Sequence, residues 1–214
     1  MKKDHVFDVE VEEYEEWFKT NDKIFSSEVK AIKQLLPACA RGIEIGVGTG
    51  TFAVRLGIQN GLEPSEKMGA EAIKKGIDVK KGVAEEIPVQ DESYQFALMV
   101  TVDCFLDDVA RAFSEVRRIL VNKGTFIIGF LDRDTPLGNY YEQNKHRHKS
   151  YKQAHFHSAK EISEFLEKAG FEIQDKRQTI YSLENIDQDI KEGVGEGVFA
   201  VIKAKKNEME KVGL

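Results

Sequence analysis

Cysteine, proline and tryptophan are scarce in this chain, and long apolar runs are missing. The two cysteines, Cys39 and Cys104, stand far apart with no metal-type pairing. Neither a disulfide framework nor a zinc knuckle is supported, and each is expected as a small buried apolar residue. No apolar stretch approaches the roughly 20 residues that cross a bilayer. The opening Met1-Lys-Lys-Asp-His lacks the apolar segment of a secretory leader, so a cytoplasmic protein is the expectation. Positive charge is also in deficit: 31 Lys and Arg face 37 Asp and Glu, a formal net charge of -6. That balance disfavours a phosphate footprint on nucleic acid or an anionic membrane surface, and points to a small-molecule partner. No internal repeat or low-complexity tract interrupts the 214 residues, a length suited to one well-buried domain, 1–214, and short for two.

What is present is a glycine cluster. Arg41-Gly-Ile-Glu-Ile-Gly-Val-Gly-Thr-Gly-Thr-Phe52 reads as a buried strand ending in a turn that opens a helix. Gly46, Gly48 and Gly50 carry no Cβ, so the chain can turn sharply and a ligand can approach the backbone. A dinucleotide fingerprint starting at Gly46 requires glycine at 51, where Thr51 stands. Glu44, just before the turn, would repel a pyrophosphate and hold a cationic ligand.

Around that turn, apolar positions at helical spacing predict two N-terminal helices: Val11, Tyr14, Trp17 and Phe18, then Phe25, Val29, Ile32, Leu35 and Leu36 ahead of Pro37. Strand-like runs at Ile43–Ile45, Leu62, Val79–Val83, Phe96–Val100 and Thr125–Leu131 alternate with helical ones. The expectation is an α/β protein, a mostly parallel sheet with helices on both faces. Ser158 to Ala169 predicts a capped helix ending at Gly170, followed by Phe171–Tyr181 and Gly197–Ala204 as a closing pair. The lysine-rich end after Ala204 is expected to fray. Residues 132–156 are long and polar for a crossing, which marks them as a functional insertion.

Four ordered segments resemble the class I S-adenosylmethionine-dependent methyltransferases, closest to their small-molecule and quinone-methylating members. These are Glu44-x-Gly46-x-Gly48-x-Gly50; Gly61-Leu-Glu63-Pro-Ser65; Gly82-Val-Ala-Glu-Glu-Ile-Pro88 with Asp91-Glu-Ser-Tyr-Gln-Phe96; and Glu115-Val-Arg-Arg-Ile-Leu120 with Lys123-Gly124. The resemblance implies a seven-stranded Rossmann-like sheet whose last strand is antiparallel. It also implies a helical cap over 1–37, a cofactor core over 38–131, a substrate insertion over 132–156 and a closing helix and strand pair over 157–205. S-adenosylmethionine is the implied cofactor. Glu44 would take its ammonium with a carbonyl near Thr101, and Glu63 both ribose hydroxyls. Gly46, Val47, Gly48, Gly50, Pro64, Ser65, Met68, Ala84 and Glu85 complete the cofactor set. Val83 replaces the family's adenine-binding Asp, leaving that contact to Glu85 or backbone, and Gln95 replaces an Asp that supports the fold.

Asp103 and Phe105 follow the fourth strand, where open α/β sheets expose their crevice. Asp103 is placed against substrate or as a helix cap. With Phe105, Trp17, Tyr140 and Tyr141 it forms the candidate substrate set, Trp17 alternatively packing the first helix with Tyr14 and Phe18. His146, His148, His155 and His157 offer two His-x-His pairs. No third ligand type lies at zinc-like spacing and Lys145, Arg147, Lys149 and Lys152 would oppose a cation, so no metal is expected. His155 or His157 is the candidate general base. The expected activity is methyl transfer to a small acceptor. Absence of an Asn-Pro-Pro-Tyr tetrapeptide argues against DNA adenine as that acceptor. The alternatives are a nicotinamide-dependent oxidoreductase and a non-catalytic S-adenosylmethionine-binding protein.

Overall fold

Alternation at the strand level builds the two faces of the molecule. In β4 (Tyr94–Val100), Phe96, Leu98 and Val100 enter one apolar layer while Ala97 and Met99 enter the other. In β5 (Leu120–Leu131), Ile127 and Leu131 lie in the first layer, and Phe126, Ile128 and Phe130 in the second. This period of two, with both sides apolar, is what a sheet covered on both faces demands. The structure, a computed structural model, describes residues 11–38, 41–147 and 151–208.

The remaining strands are β1 (Gly42–Ile45), β2 (Asn60–Glu63), β3 (Asp78–Lys81), β6 (Phe171–Thr179), β7 (Lys191–Glu192) and β8 (Phe199–Lys206). The order across the sheet is β3-β2-β1-β4-β5-β8-β6-β7. Strands β1 to β5 pair in parallel, whereas β8 runs antiparallel to both β5 and β6. Eight strands replace the expected seven because the two residues of β7 pair with Arg177 and Gln178. Both outer strands are short and charged, which suits edges.

Helices α1 (Val11–Thr20), α2 (Asp22–Lys33) and α3 (Thr51–Leu56) belong to one side. Ile24, Phe25, Val29 and Ile32 of α2 pack with Phe52 of α3 and with Phe199 and Val201 of β8. On the other side α5 (Val109–Ile119) and α7 (Ala159–Lys168) bury Phe113, Val116, Ile162 and Leu166 against Phe126 and Ile202. Phe113 meets Phe126 edge to face at 5.1 Å. Helix α4 (Glu66–Lys74) bridges β2 and β3. Helix α7 starts in a full capping box, Ser158 accepting from Glu161 N and Glu161 Oε2 accepting from Ser158 N at 2.7 Å. It ends at Gly170 (φ 81°).

One expectation gains detail and one needs correction. The 132–156 insertion is not only a connection: it holds α6 (Pro136–Asn144), capped by Thr135 with Pro136 in its first turn. Lys205 and Lys206 do not fray, since they complete β8 and the Lys206 ammonium donates to Leu120 O at 2.6 Å, whereas Lys211 lies outside the described residues. Cys39, His148 and Lys149 lie outside the described residues, whereas Cys104 is buried. Among the described residues no helix is long and apolar enough to cross a membrane.

Candidate active site

The glycine turn is stitched to the neighbouring strand before any ligand is considered. Gly46 N and Val47 N both donate to Leu62 O, at 2.8 and 2.9 Å. Gly46 holds φ 72°, and a Cβ there would sit 2.4 Å from Val102 Cγ2, so both backbone and space exclude a side chain. Gly48 (φ 54°) turns its bare side toward the Tyr14 hydroxyl, 3.5 Å from where a Cβ would lie.

Two carboxylates face this turn. Glu63, at the end of β2, accepts from Gly48 N at 2.8 Å through Oε2 and from Ser65 N at 2.9 Å through Oε1. It therefore locks the first turn to the second. Glu44, the third residue of β1, is only 2 % exposed. It takes a hydrogen bond from the backbone of Ala53, and burial, reinforced by the nearby charge of Glu63, pushes its carboxyl well above the ordinary range. Its Oε2 is buried with no hydrogen-bond partner. An orphaned buried oxygen is costly and marks a place where a donor belongs.

Beyond Glu63, Pro64 is half-buried. Ser65 caps α4 by accepting from Met68 N at 3.2 Å, and Met68 is buried. The next loop, 82–91, is clamped from α5. Glu115 accepts from Ile87 N at 2.9 Å, and Arg118 donates to Ile87 O, Val89 O and Asp91. That is the physical use of the Glu115-x-x-Arg118 pair. Ala84 is buried, and Val83 is 45 % exposed. Glu85 Oε1 accepts from Asp107 N at 2.9 Å and Asp108 N at 3.4 Å. Gln95 clasps the start of β1, its Oε1 accepting from Arg41 N.

Thr101, immediately after β4, lies in the left-handed region, φ 52°, unusual for a β-branched residue and a strained conformation at the carboxyl edge of the sheet. Its N–H donates to Gly129 O and its carbonyl faces Cys104 Sγ at 3.7 Å. A short 3₁₀ turn, Asp103–Phe105, follows. Asp103 is 2 % exposed, and its Oδ2 lies 3.0 Å from His157 Nδ1. Burial raises the Asp103 carboxyl against the opposing pull of His157. Asp103 is thus paired inside the protein. His157 is itself buried and edges Phe165, whereas the exposed His155 donates its backbone N–H to Cys104 O.

The insertion supplies aromatics. Tyr151 stacks on Phe105 at 6.2 Å and meets Phe156 at 5.3 Å and Tyr141 at 6.1 Å. Trp17 and Tyr140 are 41 % and 47 % exposed and stand at the outer side, against Phe18 and Tyr141 respectively. Among the described residues no group of three or more His, Cys, Asp or Glu is disposed to hold a metal.

Helix α1 closes over the turn. Glu15 accepts from the hydroxyls of Thr49 and Thr51 and from Lys75 Nζ at 2.8 Å. One turn of helix thereby fixes Tyr14 beside Gly48. Burial raises the Tyr14 phenol, and the charges of Glu44, Glu63, Glu15 and Glu28 raise it further. Glu28 on α2, 7 % exposed, was not singled out from sequence. A legible signal existed, because it falls on the apolar stripe Phe25, Val29, Ile32, three residues after Phe25.

A methyltransferase-domain family model matches residues 43–128. A crystal structure of an S-adenosylmethionine-dependent methyltransferase from Thermotoga maritima, described as a "possible histamine N-methyltransferase", is 47 % identical with a TM-score of 0.92, over 95 % of this chain and 99 % of that one. An uncharacterized protein of Methanocaldococcus jannaschii is 42 % identical over 94 % of this chain and 99 % of its own length. One from Mycobacterium tuberculosis is 34 % identical over 89 % and 70 %. At 47 % identity over nearly the whole of both chains, the chain belongs to the S-adenosylmethionine-dependent methyltransferases.

Proposed function

We propose that the protein methylates a small-molecule acceptor held where α1, α2 and the insertion meet over the carboxyl edge of the sheet. The observation that carries the cofactor half is Glu44 Oε2, buried and without a partner. It fits the ammonium of the methionine moiety, which would supply the missing donor and relieve the raised carboxyl. Glu63, already oriented by Gly48 N and Ser65 N, would receive the ribose hydroxyls. Gly46, Val47, Gly48 and Gly50 would pass under the ligand as bare backbone, and Thr101 would offer its carbonyl. With Val83 in place of a carboxylate and Glu85 committed to Asp107 and Asp108, the adenine would be read by backbone near Ala84. Pro64, Ser65 and Met68 would shape the wall beside the ribose.

When bound, S-adenosylmethionine supplies an electrophilic methyl group on a sulfonium. The protein's share is to hold the acceptor in line with it and keep water out, and such positioning accounts for most of the acceleration in transfers of this kind. Asp103 and His157 form a positioning pair that fixes Phe105 and the 155–158 segment at the pocket edge, with His155 exposed beside them. Tyr141 and Phe105 face the acceptor, with Trp17 and Tyr140 at its entrance. The histamine named for the Thermotoga protein belongs to the small-molecule class proposed here.

Calorimetry should give S-adenosylhomocysteine a micromolar or tighter Kd, roughly -8 kcal/mol, with no comparable binding of NADH. The reverse ranking would overturn the reading in favour of an oxidoreductase. Binding without turnover of any acceptor to S-adenosylhomocysteine would leave a non-catalytic binding protein.

A further inference from the structure

Glu28 is more than nine-tenths buried, and among the described residues its carboxylate makes no hydrogen bond. Structural buried carboxylic acids are hydrogen-bonded, because an unsatisfied one costs stability with no return. Three phenols from three parts of the chain feel its charge: Tyr14 of α1, Tyr141 of α6 and Tyr151 of the insertion. Tyr151 and Tyr141 are locked to each other and to Phe156 by ring contacts of 5.3–6.4 Å. Tyr14 also lies beside Gly48 and feels Glu44 and Glu63. Tyr14 thus neighbours both Glu28 and the glycine turn.

We propose that Glu28, Tyr14, Tyr141 and Tyr151 form the acceptor pocket, that it takes an alkyl- or arylalkyl-ammonium, and that the Glu28 carboxylate removes the ammonium proton to expose the nucleophilic nitrogen. The proposal rests on the methyltransferase reading and deepens it. Aromatic faces attract a cation, and more strongly when it is desolvated. The entering ammonium displaces to solvent the proton that burial keeps on Glu28 and takes the resulting carboxylate as its counter-charge, a partner that an anionic acceptor does not gain. The step balances. The ammonium N–H bond breaks and its proton passes to Glu28. The nitrogen lone pair forms the N–CH₃ bond as the S–CH₃ bond breaks. That electron pair stays on sulfur as a neutral thioether, and the product is a methylated ammonium. The Glu28 proton returns to solvent as product leaves. Burial raises the Glu28 carboxyl to about 8, closer to an amine's range than an ordinary carboxylate and better suited to accept its proton.

The test is calorimetric titration of the full chain saturated with S-adenosylhomocysteine. Probes are phenethylamine, histamine and 1,4-diaminobutane, with phenethyl alcohol and 3-phenylpropionate as neutral and anionic controls. At least one amine should bind tenfold or more tightly than both controls. Glu28→Gln should remove that preference while leaving S-adenosylhomocysteine affinity within twofold. Tyr141→Leu should reduce amine affinity severalfold and alcohol affinity less, which keeps the proposal testable if one variant folds poorly. Equal binding of alcohol and amine, no amine binding up to millimolar concentration, or a preference retained in Glu28→Gln would overturn the proposal while leaving the methyltransferase reading intact. Failure of the wild type to bind S-adenosylhomocysteine would overturn both.

Discussion

At the scale of single residues, Glu63 does two jobs at once. Replacing it with Ala leaves Gly48 N and Ser65 N without their acceptor, at about 1–3 kcal/mol for the buried Ser65 donor and less for the part-buried Gly48. The same change should weaken S-adenosylhomocysteine binding by roughly 1.5–3 kcal/mol. Calorimetry and thermal melts on one preparation should therefore move together; a falling melting temperature with unchanged affinity would make Glu63 purely structural. Glu28 behaves oppositely. Its folded-state carboxyl lies near 8 against an ordinary value of 4.5, so between these pH values the folded chain keeps a proton that the unfolded chain has lost. Stability contributed at this position falls as pH rises through that window and levels above it. Without ligand, Glu28→Gln should match wild type near pH 4 and melt higher at pH 8; equal melting at both would mean the anion is satisfied in place. Glu44, the glycines and Glu63 were legible in sequence because a strand, a turn and the next strand bring them together locally. Glu28, Tyr14 and Tyr151 meet only through tertiary packing. The one local clue was a carboxylate on the apolar stripe of α2.

At the scale of elements, sequence periodicity located the parallel core but not its ends. Strand β7 is two residues paired at an edge, too short to carry a pattern, and β8 runs on through lysines because Lys206 finds a carbonyl inside the sheet. Helix α6 was hidden by its polarity: of its residues only Gly138 is buried, so no apolar stripe announces it. Thr135 accepting from Gly138 N at 3.0 Å starts it all the same. Replacing residues 140–151 with a short Gly/Ser linker removes the end of α6 together with Tyr141 and Tyr151. S-adenosylhomocysteine affinity should stay nearly unchanged, because Glu44, Glu63 and the 82–91 loop lie elsewhere. Methylation of acceptor should collapse. Retained turnover would remove the segment from the acceptor site, and lost cofactor binding in a folded variant would place it in the cofactor site.

At the scale of the whole molecule, the sheet divides the labour. The half built from β1 to β4 carries the glycine turn and its two carboxylates, while on the proposed reading the acceptor walls come from α1, α2 and the stretch between β5 and α7. Helix α1 belongs to both, pinned across the glycine turn by Glu15 and presenting Tyr14 to each side. One lid serving two ligands has a kinetic meaning. If Tyr14 borders both ligands as proposed, the cofactor would have to settle beneath α1 before the acceptor site is complete, and the spent thioether would stay trapped until the acceptor site empties. The reaction should therefore be ordered. In product-inhibition experiments S-adenosylhomocysteine should compete with S-adenosylmethionine alone, and the methylated product should be noncompetitive against both substrates. A random pattern would mean that the helix opens faster than either ligand leaves.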